Sequence, residues 1–157
     1  MTGLIANIRK TRAFLLNMVD GLSIEQLNHI PEGFNNNIIW NLGHLIAAQQ
    51  GLCYLRADLP HHVSEVFFNT FKPGSKPERF IDGEEFAQMK KLMFSTLDLL
   101  EKDYADQIFG NYQCWTTRYG VELASIDDAL NFVLFHEGLH QGYVMALKRL
   151  VLSKEFI

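Results

Sequence analysis

The sequence predicts an all-α fold, a four-helix bundle, on three observations. Four stretches carry apolar residues at helical spacing, no stretch shows the sustained alternation of a sheet strand, and capping residues stand before three of the four. Amphipathic helices without a sheet bury their apolar stripes against one another, and four long ones make a bundle.

In the first helix, Leu4, Ile8, Leu15, Met18 and Leu22 keep a helical step that closes around Asp20 and Gly21. Ser23 and Gln26 then have capping-box spacing for a short turn before Leu27. The run Asn35-Asn36-Asn37 offers an N-cap to the second helix, which continues to about Ala57. Residues 58–81 hold three of the chain's four prolines and read as a long connection with room for a short helix. Asp82 caps the third helix, whose seam is Phe86, Met89, Met93, Leu97, Leu100 and Tyr104. Residues 106–124 carry aromatics and no helical stripe, which fits a loop or a small hairpin around Gly120. Ser125 and Asp128 open the fourth helix, which runs through Leu152. Its inward face is expected to be Ala129, Phe132, Val133, His136, Leu139, His140, Tyr143, Leu147 and Leu150, with Asn131, Gln141, Lys148 and Arg149 outward.

Composition narrows the function. At 157 residues the chain is expected to form a single domain, 1–157, large enough to need no disulfide. A net charge of -4 and a pI near 5.8 argue against a nucleic-acid groove, which needs a concentrated basic surface. No apolar run is long enough for a membrane span, and Arg9, Lys10 and Arg12 interrupt the first helix where a signal peptide would be uniformly apolar. Cys53 and Cys114 stand far apart, as in a reducing compartment, so the expectation is a cytoplasmic protein with no nucleic-acid or membrane partner.

Residues 135–144 read FHEGLHQGYV, placing His136 and His140 four apart with Glu137 between them. Helical positions four apart lie about 40° apart around the axis, so two imidazoles can share an ion. A zinc protease would use the same letters but needs a third ligand downstream and a strand upstream. Glu155 is the sole acid after His140, and no strand precedes the helix. On the second helix, His44 shares a face with Trp40, Ala47, Ala48, Gly51 and Leu55. In an up-and-down bundle the second and fourth helices run parallel, and all three histidines fall within about two turns of one height. Gly43, Ala47, Gly51, Gly138 and Gly142 would let helices approach where the imidazoles converge. A divalent ion would satisfy three buried imidazoles together; hydrogen-bonded core histidines are the alternative. His29, His61 and His62 fall in turns or loops and are expected to be solvated. Cys53 lies across the helix from His44, while Cys114 stays open as a ligand.

The pair Trp40 and His44, in the pattern W-x-x-x-H, and the run His136, His140, Gln141 and Gly142, in the pattern H-x-x-x-H-Q-G, resemble the DinB superfamily of metal-binding proteins. The resemblance extends over essentially the whole chain. It implies a DinB/YfiT-like variant of up-and-down topology and a metal triad at His44, His136 and His140. Members characterised in the family include thiol-dependent S-transferases and isomerases that use low-molecular-weight thiols such as bacillithiol or mycothiol. Zinc and nickel are the metals it implies most directly, and homodimers are common.

Three histidines leave at least one coordination position open, where a divalent ion would acidify water or take a thiolate. Glu137 is the candidate base or ligand-orienting carboxylate, unless it faces solvent; Asn41 and Gln141 are weaker orienting candidates. Phe34, Tyr112, Trp115 and Tyr119 are expected in the pocket wall, since residues 28–36 and 106–124 should gather at one end of the bundle. Two functions follow: a metal-dependent transferase or hydrolase acting on a small molecule, or a non-catalytic stress-response bundle with a structural metal. Ile39, Leu42, Ile46 and Cys53 form a second apolar face on the second helix, expected to meet a partner in a homodimer.

Overall fold

The computed structural model describes residues 2–153 and is all-α apart from one minimal hairpin. Its helices are α1 (Thr2–Val19), α2 (Ile24–Asn28), α3 (Ile38–Cys53), α4 (Glu65–Phe71), α5 (Gly83–Ala105) and α6 (Ile126–Ser153), with strands β1 (Trp115–Thr116) and β2 (Glu122–Leu123). The starts follow the capping logic. Ser23 with Gln26 and Asp82 with Glu85 close reciprocal capping boxes on α2 and α5. Asn37 accepts the Trp40 N–H at 2.8 Å to open α3. Ser125 Oγ accepts the Asp128 N–H at 3.2 Å at the head of α6. Strands β1 and β2 pair antiparallel, and Gly120 takes a positive φ of 76° in the turn between them, where a side chain would be strained.

α6 packs on both α1 and α3, and α5 packs on the same two helices. α3 therefore has neighbours on every side, with α2 and α4 closing what remains. All of its residues except Gly51 are buried or nearly so. A helix apolar around its whole circumference is a core helix. This corrects the expectation that Ile39, Leu42, Ile46 and Cys53 meet a partner: each is at most 1% exposed inside the chain's own core.

The inward face of α6 is corrected in part. Ala129, Phe132, Val133 and Leu147 are buried as expected and Leu130, Glu137, Val144 and Val151 join them, whereas Leu139, Tyr143 and Leu150 are exposed. The ridge carrying His136 and His140 is turned away from the centre, because a carboxylate occupies a core position. Glu137 is 2% exposed, and Arg12, at 0%, meets it across the core. Arg12 Nε donates to Glu137 Oε1 at 2.8 Å, and Nη2 lies 2.8 Å from the same oxygen. Arg12 Nη1 also donates to the Met93 carbonyl at 2.9 Å and Thr96 Oγ1 at 3.4 Å, and Nη2 to the Leu45 carbonyl at 3.3 Å. One guanidinium thus joins α1, α3, α5 and α6.

Removing one member of a buried, hydrogen-bonded ion pair strands the other charge, at a cost of about 3–5 kcal/mol. Arg12→Ala and Glu137→Ala should each lower the urea-unfolding free energy by about that amount. The paired replacement Arg12→Met with Glu137→Leu should lose less than either single change. Equal stability of the wild type and Glu137→Ala would remove the pair from its structural role.

Candidate metal centre

The α6 ridge beside Glu137 faces His44 on α3, and three imidazoles meet there. Ring centroids lie 5.2 Å apart for His44 and His136, 4.7 Å for His44 and His140, and 4.4 Å for His136 and His140. Their candidate ligand nitrogens all fall within 4.8 Å of one another, and among the described residues no cysteine or carboxylate joins the group.

Two neighbours set which nitrogens are free. His44 Nδ1 lies 2.8 Å from the Phe71 carbonyl, an acceptor only, so Nδ1 carries the proton and Nε2 keeps its lone pair. His140 Nδ1 lies 2.7 Å from Asn41 Oδ1. The amide cannot be reversed, because Asn41 Nδ2 donates to the Asn37 carbonyl at 2.7 Å and to Asn36 Oδ1 at 3.0 Å. His140 is therefore also protonated on Nδ1, with Nε2 free. Trp40 stacks on His44 at 4.7 Å with an interplanar angle of 11°, and His136 stacks on Phe132.

The Phe71 carbonyl arrives from the connection that the sequence left without a role. It ends the short helix α4, where carbonyls lack intrahelical partners. Gly43 makes the approach feasible: a Cβ there would stand 2.5 Å from the Phe71 ring. Gly138 and Gly142 face open space, contrary to the expectation that they bring helices together.

Burial drives the imidazoles toward the neutral form that ligates metal. Desolvation first, then the neighbouring histidines and the Arg118 guanidinium, bring His136 down to about 2. Desolvation, His44 and Arg118 bring His140 to about 3. His44 is lowered by burial against the opposing bond to Phe71.

The triad sits in the wall of a cavity of about 900 Å³, a size suited to small molecules. Of the expected wall residues, Trp115 and Tyr119 line it. Phe34 lies behind the wall, edge-on to Tyr143 at 5.6 Å, and Tyr112 turns away to donate its hydroxyl to the Leu52 carbonyl at 2.9 Å. Trp40, Phe68, Phe132, Tyr143, Arg56 and Arg118 are also in the lining, beyond the wall residues expected from sequence. For Trp40 and Phe132, helical spacing from His44 and His136 was the readable signal.

Glu137, expected as base or orienting carboxylate, does not line this cavity; its bonds go to Arg12. The orienting part belongs to Asn41, while Gln141 does not line the cavity. Cys53 is buried, its thiol pushed up to about 12 by burial, and Cys114 is exposed away from the triad. The three other histidines are less solvated than expected. His61 stacks on Phe68 with its side chain 8% exposed, His62 bonds Asp103 at 2.8 Å, and His29 has a buried Nε2. Glu155 lies outside the described residues.

Fold and site define a helical protein with a three-histidine cluster, able to hold a metal ion, in the wall of a cavity. The chain belongs to the DinB superfamily, whose family model matches residues 7–144. Comparison with curated proteins returns no match.

The depressed imidazoles give the metal-free protein a pH dependence. As pH falls below the ordinary imidazole value of 6.5, the unfolded chain takes up protons that the folded histidines refuse. Their contribution is complete above about 6.5 and is lost as pH falls from there, by up to about 1.4 kcal/mol per pH unit for each histidine that stays neutral. After chelation, the urea midpoint should be lower at about pH 5 than at about pH 7.5, and His136→Gln with His140→Gln should flatten that difference. An unchanged difference in the double variant would contradict a neutral, buried cluster.

Proposed function

We propose that this chain binds one divalent metal ion, zinc or nickel, through His44, His136 and His140 and uses it in a metal-dependent reaction on a small molecule. The reaction class is group transfer, with a low-molecular-weight thiol as the S-nucleophile, or hydrolysis. The packing of α5 and α6 on both α1 and α3 supports reading the fold as the up-and-down bundle variant. The observation that carries the functional reading is the preset donor pair: Nε2 of His44 and of His140 are left unprotonated by Phe71 and Asn41 beside a cavity. Core histidines kept for packing alone would not need two orienting acceptors and an adjoining void.

When bound, a divalent ion supplies Lewis acidity at the cavity wall, toward a water or a thiol. The chain's own residues do the rest. Phe71 and Asn41 hold the imidazoles in one tautomer, Trp40 and Phe132 hold two rings in plane, and the aromatic lining sheds water from the apolar part of a substrate. Among the described residues no carboxylate lines the cavity, so proton transfer falls to the nucleophile itself or to the hydroxyls of Tyr119, Tyr143 and Thr117. Neither cysteine lines it, so a sulfur nucleophile must come from outside the chain.

Elemental analysis should find one divalent ion per chain in the wild type and none in His44→Ala, His136→Ala or His140→Ala, with His61→Ala retaining it. Adding a small thiol to cobalt-loaded protein should produce a sulfur-to-metal charge-transfer band that persists in Cys53→Ser and Cys114→Ser. Normal metal content in His44→Ala would overturn the triad. A cobalt spectrum indifferent to thiol, azide and other added ligands would reduce the metal to a structural one.

A further inference from the structure

The charge of the cavity is one-sided. Among the described residues its lining contains Arg56 and Arg118 and no aspartate, glutamate or lysine, in a chain whose net charge is -4. Among the described residues neither guanidinium, nor that of Arg149 outside the cavity, has a carboxylate partner, whereas Arg9, Arg12 and Arg79 each have one. Both are held by aromatic contacts instead. The Arg56 guanidinium lies 3.9 Å from the centre of the Trp115 ring, and Arg118 lies 5.0 Å from the centre of Tyr119 and donates to its hydroxyl at 2.9 Å. Stacking fixes the plane of a guanidinium while leaving N–H donors free, which suits it to grip an oxyanion in two-point fashion.

Much of the rest of the wall is apolar or aromatic, including Trp40, Phe68, Leu55, Phe132 and Leu139, beside the neutral polar Asn36, Asn41 and Thr117. Arg56 and Arg118 are both solvent-exposed residues of the cavity lining, on separate elements, and their N–H donors are open to a charge that a ligand brings. Arg56 belongs to the turn that follows α3, and Arg118 to the β1–β2 hairpin.

We infer that the cavity takes an oxyanion with an apolar or aromatic body, a carboxylate or phosphate held by Arg118 and Arg56, with the body against the aromatic wall and its reactive end toward the three histidines. This rests on the reading of the site as a small-molecule cavity beside a metal, and it names the substrate class. Arg56 and Arg118 are specificity residues here, with no part in holding the metal.

Both tryptophans of the chain, Trp40 and Trp115, line the cavity, so intrinsic fluorescence reports on it. Fluorescence titrations should compare 3-phenylpropionate and phenyl phosphate with their neutral counterparts 3-phenylpropionamide and benzyl alcohol, using protein both metal-free and zinc-loaded. At least one anion should bind about tenfold or more tightly than its neutral partner in the metal-free protein, where the metal cannot be the cause. The better anion tells whether the carboxylate or the phosphate is preferred. Arg118→Gln and Arg56→Gln should each cut that preference severalfold while keeping the helical circular dichroism and the zinc content of the wild type. Equal binding of anion and neutral partner, no saturable binding of either anion, or a preference that survives both substitutions would overturn the inference. Loss of the metal reading looks different: zinc would fail to bind while the anion preference persisted.

Discussion

The position of the histidines depends on where the Arg12 guanidinium finds its carboxylate. Arg12 reaches across the core to Glu137 and also bonds backbone carbonyls of α3 and α5, so it fixes the rotation of α6 against the three other long helices. Glu137 follows His136 directly, and consecutive helical residues point about 100° apart. With the acid anchored inward, the ridge of His136 and His140 must turn toward His44. Two charges in a low-dielectric interior interact strongly and are expensive to separate, which gives this rotation a single solution. Apolar contacts alone would tolerate a small turn of α6; the ion pair does not.

The second constraint is the tautomer of the imidazoles, and it traces to local sequence. Asn36, Asn37 and Asn41 form one relay: the first two accept from the Asn41 amide, and its oxygen accepts from His140. The asparagine run caps α3 and orients a ligand in the same few residues. His44 is served by a different device, the free carbonyl at the end of α4, admitted by the absence of a side chain at Gly43. Each histidine so held presents Nε2 without having to reorganise, which would lower the cost of binding an ion.

Much of this was legible in the sequence because it obeys periodicity and capping. The helix starts at Ser23, Asn37 and Asp82 and the turn at Gly120 needed only local chemistry, and helical spacing brought His44, His136 and His140 to one level. Glu137 departs from the expectation that it serves the metal or faces solvent, because it is buried in an ion pair. A cation at Arg12, on the seam Ile5, Ile8, Leu15 and Val19, was the signal that an acid elsewhere must be buried with it. What could not be read was anything requiring two distant segments to meet, such as the Phe71 carbonyl on His44 or Arg56 over Trp115. Those contacts depend on the path of the 58–81 connection and of the hairpin, which no periodic pattern specifies.

The proposed centre requires donor nitrogens that are set before any metal binds, and nitrogen-15 NMR of the imidazoles in chelator-treated protein observes that directly. We expect His44 and His140 each to show a protonated Nδ1 and an unprotonated Nε2, with the Nε2 resonances shifting on addition of zinc while Nδ1 stays protonated. An Nε2–H tautomer at either residue, or zinc shifting Nδ1 in its place, would contradict the account.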